Sequence, residues 1–329
     1  MDFTLSPDQE LLRDTARQLL QRECPTSLLR AHIEDPAAAD PLWQHLRDFA
    51  GLGDGPLTDL CVFLEEAGYV AAPGPFFPTV ALFIPLLAAA GHELLAPALG
   101  GEITGTVAVA GADGVWAANN DRVKTFVPEA DRVDWVAVVS TGPTLTLVQS
   151  PESRAVATVD FSRRVFDVDG GSAEGSAQSI DPEPFQAVLE RATIALAAEM
   201  VGTARRLFDM ALAYAKERVQ FDVPIGSFQA IQHKLADMAL DLERATSAVA
   251  YAAMAVDAKD ADRHRAAHVA KAAAGAAATR AAKDGIQIHG GIGYTWEHDL
   301  HLFIRHAYGS EAWMGTSAWH HDRLADLLL

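Results

Sequence analysis

Apolar positions in the first hundred residues fall at helical spacing, then give way from Gly100 to about Gly175 to short β-branched runs, and return to three-four spacing from about Pro182. The order read from the chain is therefore helical, β, helical. Ser6-Pro7-Asp8-Gln9 predicts the first helix start, because Ser6 can cap, Pro7 suits a first turn and Gln9 can reach back to the cap. The runs GTVAVAG, RVKTFV, WVAVV, TLTLV and RAVATVDF, separated by Gly, Pro, Asp and Asn, predict a small and mostly antiparallel β module. Further on, Phe228, Ile231, Leu235, Met238, Leu242, Ala245 and Val249 share one helical stripe, as in a helical bundle. The Ala-rich stretch AKAAAGAAATRAAK predicts a helix whose small side chains let neighbours approach closely. The expected fold is α+β and mainly α, with domains over residues 1–99 (helical), 100–178 (β) and 179–329 (helical bundle).

Composition narrows the function classes. Half of the 329 residues are hydrophobic and 21% are charged, which is globular material and not a disordered tail. A net charge of −18, with no basic cluster, would repel a polyphosphate backbone, so no nucleic-acid partner is expected. The two cysteines, Cys24 and Cys61, sit in helical patterns and read as reduced, buried thiols. The acidic N-terminus shows no signal-like apolar stretch, and the run Val80 to Ala90 is broken by Pro85 and shorter than the roughly 20 residues a bilayer span needs. A soluble, cytoplasmic protein with no membrane partner is expected.

Two loops interrupt the C-terminal helices. In the first, Glu217 to Met238, Arg218 ends one helix and Ser227 can cap the next after a Pro-Gly turn. In the second, Gly285 to Leu300, Gly290, Gly291 and Gly293 lie where a helix would otherwise continue, either as a plain turn or as backbone that must approach a ligand. Exposed N–H groups there, with Gln287 and Arg218, have the chemistry to hold a pyrophosphate.

Taken together and in this order, the loops resemble the acyl-CoA dehydrogenase family. The matching signature is Arg218-x-x-Phe221, then Pro224-Ile225, Phe228-Gln229, and later Gln287-x-x-Gly290-Gly291-x-Gly293-Tyr294. The likeness spans nearly the whole chain, since helical domain, small middle β domain and C-terminal four-helix bundle are also that family's architecture. It implies FAD as cofactor and desaturation of an acyl-CoA, in which a Glu removes the α-proton while a hydride leaves the β-carbon. It also implies an electron-transfer flavoprotein-like acceptor, and a tetramer in which Arg218, Gln287 and Gly291 grip the ADP half of a neighbouring subunit's FAD, with Phe221, Gln229 and Gly290 also binding the cofactor.

The departures from that family are as specific as the matches. Counting from Arg305, the family's Glu-Gly-Thr triplet falls on Met314-Gly315-Thr316, and a thioether accepts no proton at physiological pH. The alternative base position, counted back from Arg218, is Ala192. Glu311 and Glu190 are acids two or three residues out of register, which on a helix points the side chain elsewhere. Phe126-Val127-Pro128 stands where the family carries Trp-Ile-Thr, so Pro128 offers no hydroxyl to a flavin ring. Thr316 remains a candidate for a flavin phosphate or ribose, although the Gln common two residues later is Ala318. The chain thus resembles the shortened, base-less subunits of heterotetrameric α2β2 acyl-CoA dehydrogenases of bacterial steroid side-chain degradation. This implies a full-length partner subunit that supplies the flavin pocket and the Glu, with acyl-CoA bound at the complex.

Two other readings compete: a homotetramer using Glu311 or Glu190 as a relocated base, and a scaffold without ligand. No metal is expected, because His264 and His268, four apart on a helix, lack a third ligand and read as a solvated face. His320-His321 reads as surface or subunit packing. Trp296 and Glu297, in the family's common YTWE continuation, are both expected to anchor a helix and pack between subunits, with Glu297 also a capping acid at the next helix start.

Overall fold

The computed structural model describes residues 3–172 and 177–328. Helices α1 (Pro7–Glu23), α2 (Thr26–Glu34), α3 (Asp40–Leu46), α4 (Leu57–Val70), α5 (Ile84–Ala90) and α6 (Leu95–Leu99) precede the strands. Helices α7 (Pro182–Glu217), α8 (Gln229–Asp257), α9 (Arg263–His289), α10 (Leu300–Ala312) and α11 (Ser317–Leu328) follow them. The result is a mainly α fold with a small β region. No described helix is long and apolar enough to cross a membrane.

Two compact units emerge. One comprises Met1–Thr26, Cys61–Ala72 and Leu196–Leu329; the other comprises Ser27–Leu60 and Pro73–Ala195. In the first unit, α1 starts as its sequence dictates: the Ser6 hydroxyl accepts from Gln9 N at 3.2 Å and the Gln9 side chain accepts from Ser6 N at 3.1 Å. Here α4 meets α7 backbone to backbone. A Cβ on Gly68 would lie 1.9 Å from Glu199 O, and one on Gly202 would lie 1.8 Å from Glu65 O, so only hydrogen fits at either crossing point. Beside that crossing Arg17 and Arg205 both reach Glu66, which is 2% exposed and would otherwise be a buried unpaired charge. Small residues do the same work along α9, where Ala267, Ala270, Ala274, Ala278 and Ala281 are buried. Of the stripe on α8, Met238, Ala245 and Val249 are buried and Leu242 is half-buried, while Phe228, and Leu240 beside the stripe, are exposed on this chain.

In the second unit the strands are β1 (Gly105–Ala108), β2 (Val123–Pro128), β3 (Trp135–Ser140), β4 (Thr144–Val148), β5 (Ser153–Val156), β6 (Val165–Asp169) and β7 (Gln178–Ser179). One sheet runs β1-β3-β4-β7 and the other β2-β6-β5, antiparallel except for β1 against β3. Ala108, Val127, Val136, Val138, Phe166 and Val168 form their shared core. The sequence reading misses β6, whose Val-Phe-Asp-Val-Asp pattern is short and half polar, yet it is the central strand of its sheet. Between Lys124 and Val127 the β2 register shifts, and Phe126 takes a φ of 54° at this bulge. Cys24 and Cys61 are both buried and form no disulfide, and burial pushes the Cys24 thiol up to about 12.

Candidate functional site

The first motif loop begins where α7 ends. Arg218 N donates to Tyr214 O at 2.9 Å and Arg218 O accepts from Ile225 N at 2.8 Å, which closes a hairpin of β8 (Val219–Gln220) and β9 (Val223–Pro224). A two-residue connection that matches strand twist needs positive φ at both central positions, and Phe221 and Asp222 have φ of 54° and 62°. Neither is Gly, so each costs roughly 1–2 kcal/mol of backbone strain. Nevertheless Phe221 is 88% exposed, its ring edge-to-face with Phe228 at a centroid distance of 6.2 Å. Backbone strain of this kind concentrates at ligand clamps and contact segments, and here it sets an aromatic ring into solvent. Arg218 and Gln229 are also exposed. Ser227 does not cap α8: its hydroxyl donates back to Pro224 O at 2.8 Å, and the N-cap position belongs to Phe228.

The second motif loop begins where α9 stops at Gly290, with φ 62° and ψ −140°, a region open only to Gly. Open space surrounds the points where Gly290 and Gly291 would carry a Cβ, whereas Gly293 is packed against His289, Ile286 and Leu300. The first two glycines therefore leave backbone accessible, and the third serves packing. Gln287 is exposed on the last turn of α9. Tyr214, one turn before Arg218, stacks on His289, the residue before Gly290, with ring centroids 4.5 Å apart and 22° between planes. His289 Nδ1 donates to Gly285 O at 2.7 Å, and burial lowers its pKa, so the ring is neutral in the stack. This pair pins the two loops side by side, and the sequence reading overlooks it. The available signal was an aromatic at Tyr214 and a His at the residue before the glycines.

The third segment is the turn between α10 and α11. Met314 is 5% exposed with φ 57°, and Gly315 follows at φ 96°. Glu311 Oε1 accepts from Ser317 N at 2.7 Å, so this carboxylate caps the start of α11 and complements its dipole. Thr316 Oγ1 accepts from Trp319 N at 3.2 Å, which leaves its proton to donate outward. Two histidine expectations are overturned here. His268 is not on a solvated face but bonds His320, Nδ1 to Nδ1 at 2.8 Å, and His320 is 1% exposed and not a surface residue. The first amide of α10, Leu300 N, donates to His298 Nδ1 at 3.1 Å. Trp296 packs against His301 and under Arg305, as expected of an anchor. Among the described residues no three His, Cys, Asp or Glu are grouped to hold a metal.

The profile described as acyl-CoA dehydrogenase, C-terminal domain, matches residues 185–329. Over 324 residues the chain is 32% identical to acyl-CoA dehydrogenase IpdE2 of Mycolicibacterium smegmatis, an alignment covering 94% of this chain and 96% of the relative. The chain belongs to the acyl-CoA dehydrogenase family. As a family member it has FAD as its cofactor and falls among FAD-dependent oxidoreductases. The IpdE2 protein of Mycobacterium tuberculosis is 33% identical, covering 94% of this acyl-CoA dehydrogenase chain and 93% of that one. Among solved structures, a steroid acyl-CoA dehydrogenase, Tcur3481-Tcur3483, superposes with TM-score 0.87 at 26% identity, covering 99% of this chain and 98% of that one. A chain of the ChsE4-ChsE5 complex from Mycobacterium tuberculosis gives TM-score 0.87 at 23% identity, covering 100% and 99%. At that identity the second likeness speaks for the fold alone.

Whether the residues fit FAD divides by halves of the cofactor. The ADP half suits the paired loops, with an exposed guanidinium, an exposed amide and open backbone at Gly290 and Gly291. For the ring half the fit is poor. Pro128 is buried at the end of β2, paired with Val165, and has neither hydroxyl nor N–H. Of the two positions that the sequence register assigns to a base, Met314 is buried and Ala192 is fully buried on α7. Glu190 is 8% exposed and its Oε1 accepts from Gln186 Nε2 at 3.1 Å.

Proposed function

We propose that this chain is an FAD-sharing, non-catalytic subunit of a hetero-oligomeric acyl-CoA dehydrogenase. The observation that carries the reading is the contrast between intact, exposed loops at Arg218 and Gly290-Gly291 and two base positions filled by buried Met314 and Ala192. In this reading a full-length partner carrying the catalytic Glu completes an α2β2 heterotetramer and binds the acyl-CoA. The chemistry FAD supplies when bound is acceptance of a hydride from the β-carbon of the acyl thioester. This chain's part is to bind and orient: Arg218 offers a planar fork to a pyrophosphate, Gln287 and Gln229 offer amides, and the Gly290 and Gly291 backbone allows close approach. Phe221 excludes water from the same surface, where its exposure finds a purpose. Exposed Phe228 and Leu240 on α8 suit burial against another subunit.

The substrate class is an acyl-CoA of steroid side-chain degradation, supported by the likeness to a steroid acyl-CoA dehydrogenase assembly. An electron-transfer flavoprotein-like acceptor and a cytoplasmic location belong to the same proposal. The relocated-base reading is disfavoured because Glu311 is already engaged at the start of α11. Co-expression with a full-length acyl-CoA dehydrogenase partner tests the proposal. A yellow 2:2 complex from a chain that is colourless alone is the expected result, and a yellow, active homotetramer from this chain by itself would refute it.

A further inference from the structure

Lys271 lies in the middle of α9, is fully buried, and donates from Nζ to Glu311 O at 3.0 Å and to Gly315 O at 2.8 Å. His320, on α11, contacts Met314 O through Nε2 at 3.1 Å. A carbonyl can only accept, so His320 Nε2 carries a proton; its Nδ1 is then the acceptor for the Nδ1–H of His268. Burial, with Lys271 and His268 beside it, pushes His320 down to about 3, and the neutral ring keeps this one arrangement through the physiological range. Three carbonyls of one short segment, Glu311, Met314 and Gly315, are thus drawn toward a single buried cation and its histidine neighbour. Because a trans amide points its N–H opposite to its C=O, the N–H groups of Gly315 and Thr316 turn the other way. The positive φ of both Met314 and Gly315 belongs to this inverted turn.

We propose that Lys271 and His320 are positioning residues that hold the Met314–Thr316 turn so that its amides and the Thr316 hydroxyl are presented to a phosphate of the flavin dinucleotide. The inference rests on the FAD-sharing reading above for its ligand, and on this chain's own geometry for the clamp. Neither residue touches the reacting atoms in this scheme. The Met314 side chain offers the turn no hydrogen bond of its own, so the turn is held through its backbone carbonyls. A buried lysine at this point has no packing advantage over a methionine of similar length; what it adds is the pair of hydrogen bonds from Nζ to Glu311 O and Gly315 O.

The experiment compares Lys271→Met and His320→Leu with His320→Gln, which keeps a donor, in the full chain and in its complex with the partner subunit. Amide hydrogen exchange by mass spectrometry is the first readout. FAD affinity of the complex, from flavin fluorescence, is the second. Both Lys271→Met and His320→Leu are expected to speed exchange in the segment 312–319 by about tenfold or more while the β strands stay unchanged, and His320→Gln to restore part of the protection. The FAD Kd is expected to rise about tenfold in parallel. Unchanged local exchange, or a uniform rise across the chain, overturns the clamp as a positioning device. Faster local exchange with unchanged FAD affinity overturns its link to the cofactor. If the wild-type complex binds no FAD at all, the FAD-sharing reading fails, and the exchange data still decide the clamp by themselves.

Discussion

Replacing Arg218 by Ala isolates the cofactor grip from the stability of the fold. The side chain is exposed and makes no ion pair with any described residue, so its loss removes no buried contact. Its one structural credit is a cation just past the C-terminal end of α7, worth about 0.3–1 kcal/mol through the helix dipole. Toward a pyrophosphate the same guanidinium would make charge-assisted, forked hydrogen bonds, each contributing about 1.5–3 kcal/mol. The two magnitudes separate cleanly: thermal stability should fall by about 1 kcal/mol or less, while FAD affinity of the complex falls about 10- to 150-fold. Lys at 218 keeps the charge and loses the fork, so an intermediate weakening of about tenfold is expected. Fluorescence titration of stripped complex with FAD, alongside thermal denaturation, gives both numbers. An Arg218→Ala complex that retains FAD with wild-type affinity would refute the grip, and a loss of affinity matched by an equal loss of stability would refute its specificity.

Three further outcomes are expected. Burial pushes Glu129 up to about 7 from 4.5, against the opposing pull of the Arg164 N–H and charge, so its proton is held more tightly in the folded state than in the unfolded one. The stability this contributes is full below pH 4.5 and is lost as pH rises through 7, a swing of about 3 kcal/mol; Glu129→Gln should abolish that difference in urea unfolding, and parallel pH curves would sink the argument. Glu311→Gln should cost about 1 kcal/mol through the α11 cap and leave activity of the complex intact; an abolished reaction in a stable variant would instead revive the relocated base. Gly202→Ala puts a Cβ 1.8 Å from Glu65 O and 2.9 Å from Tyr69 N, both backbone atoms that cannot rotate away. A penalty of about 3 kcal/mol and a Tm loss on the order of 10 °C are expected by calorimetry, and an unchanged Tm would show that α4 and α7 can separate freely.

The helical ends and the β texture were legible because they rest on local chemistry. Ser6 and Gln9 meet across one turn of backbone, and Gly290 supplies a φ and ψ that only Gly tolerates, so each announces itself wherever the chain goes. The family signature was legible for a related reason: it consists of short segments whose spacing is set by helix length. Strand β6 was lost because its pairing with β2 and β5 comes from residues far along the chain and leaves only a faint alternation of its own.

What the sequence by itself determined about this protein is its class of fold and its family, and that Met314 and Ala192, at the positions proposed to correspond to the family's base, have side chains that cannot accept a proton in any conformation. What only the tertiary structure decided is which side chains act together. The stack of Tyr214 on His289 joins loops more than seventy residues apart, and the clamp of Lys271 and His320 closes on a turn some forty residues from the lysine. Glu311 reads as a candidate base in one dimension and as the cap of α11 in three. The reason is physical: a side chain's composition fixes what it can donate or accept, but the partner it meets is chosen by the packing of helices whose contacts no local pattern encodes.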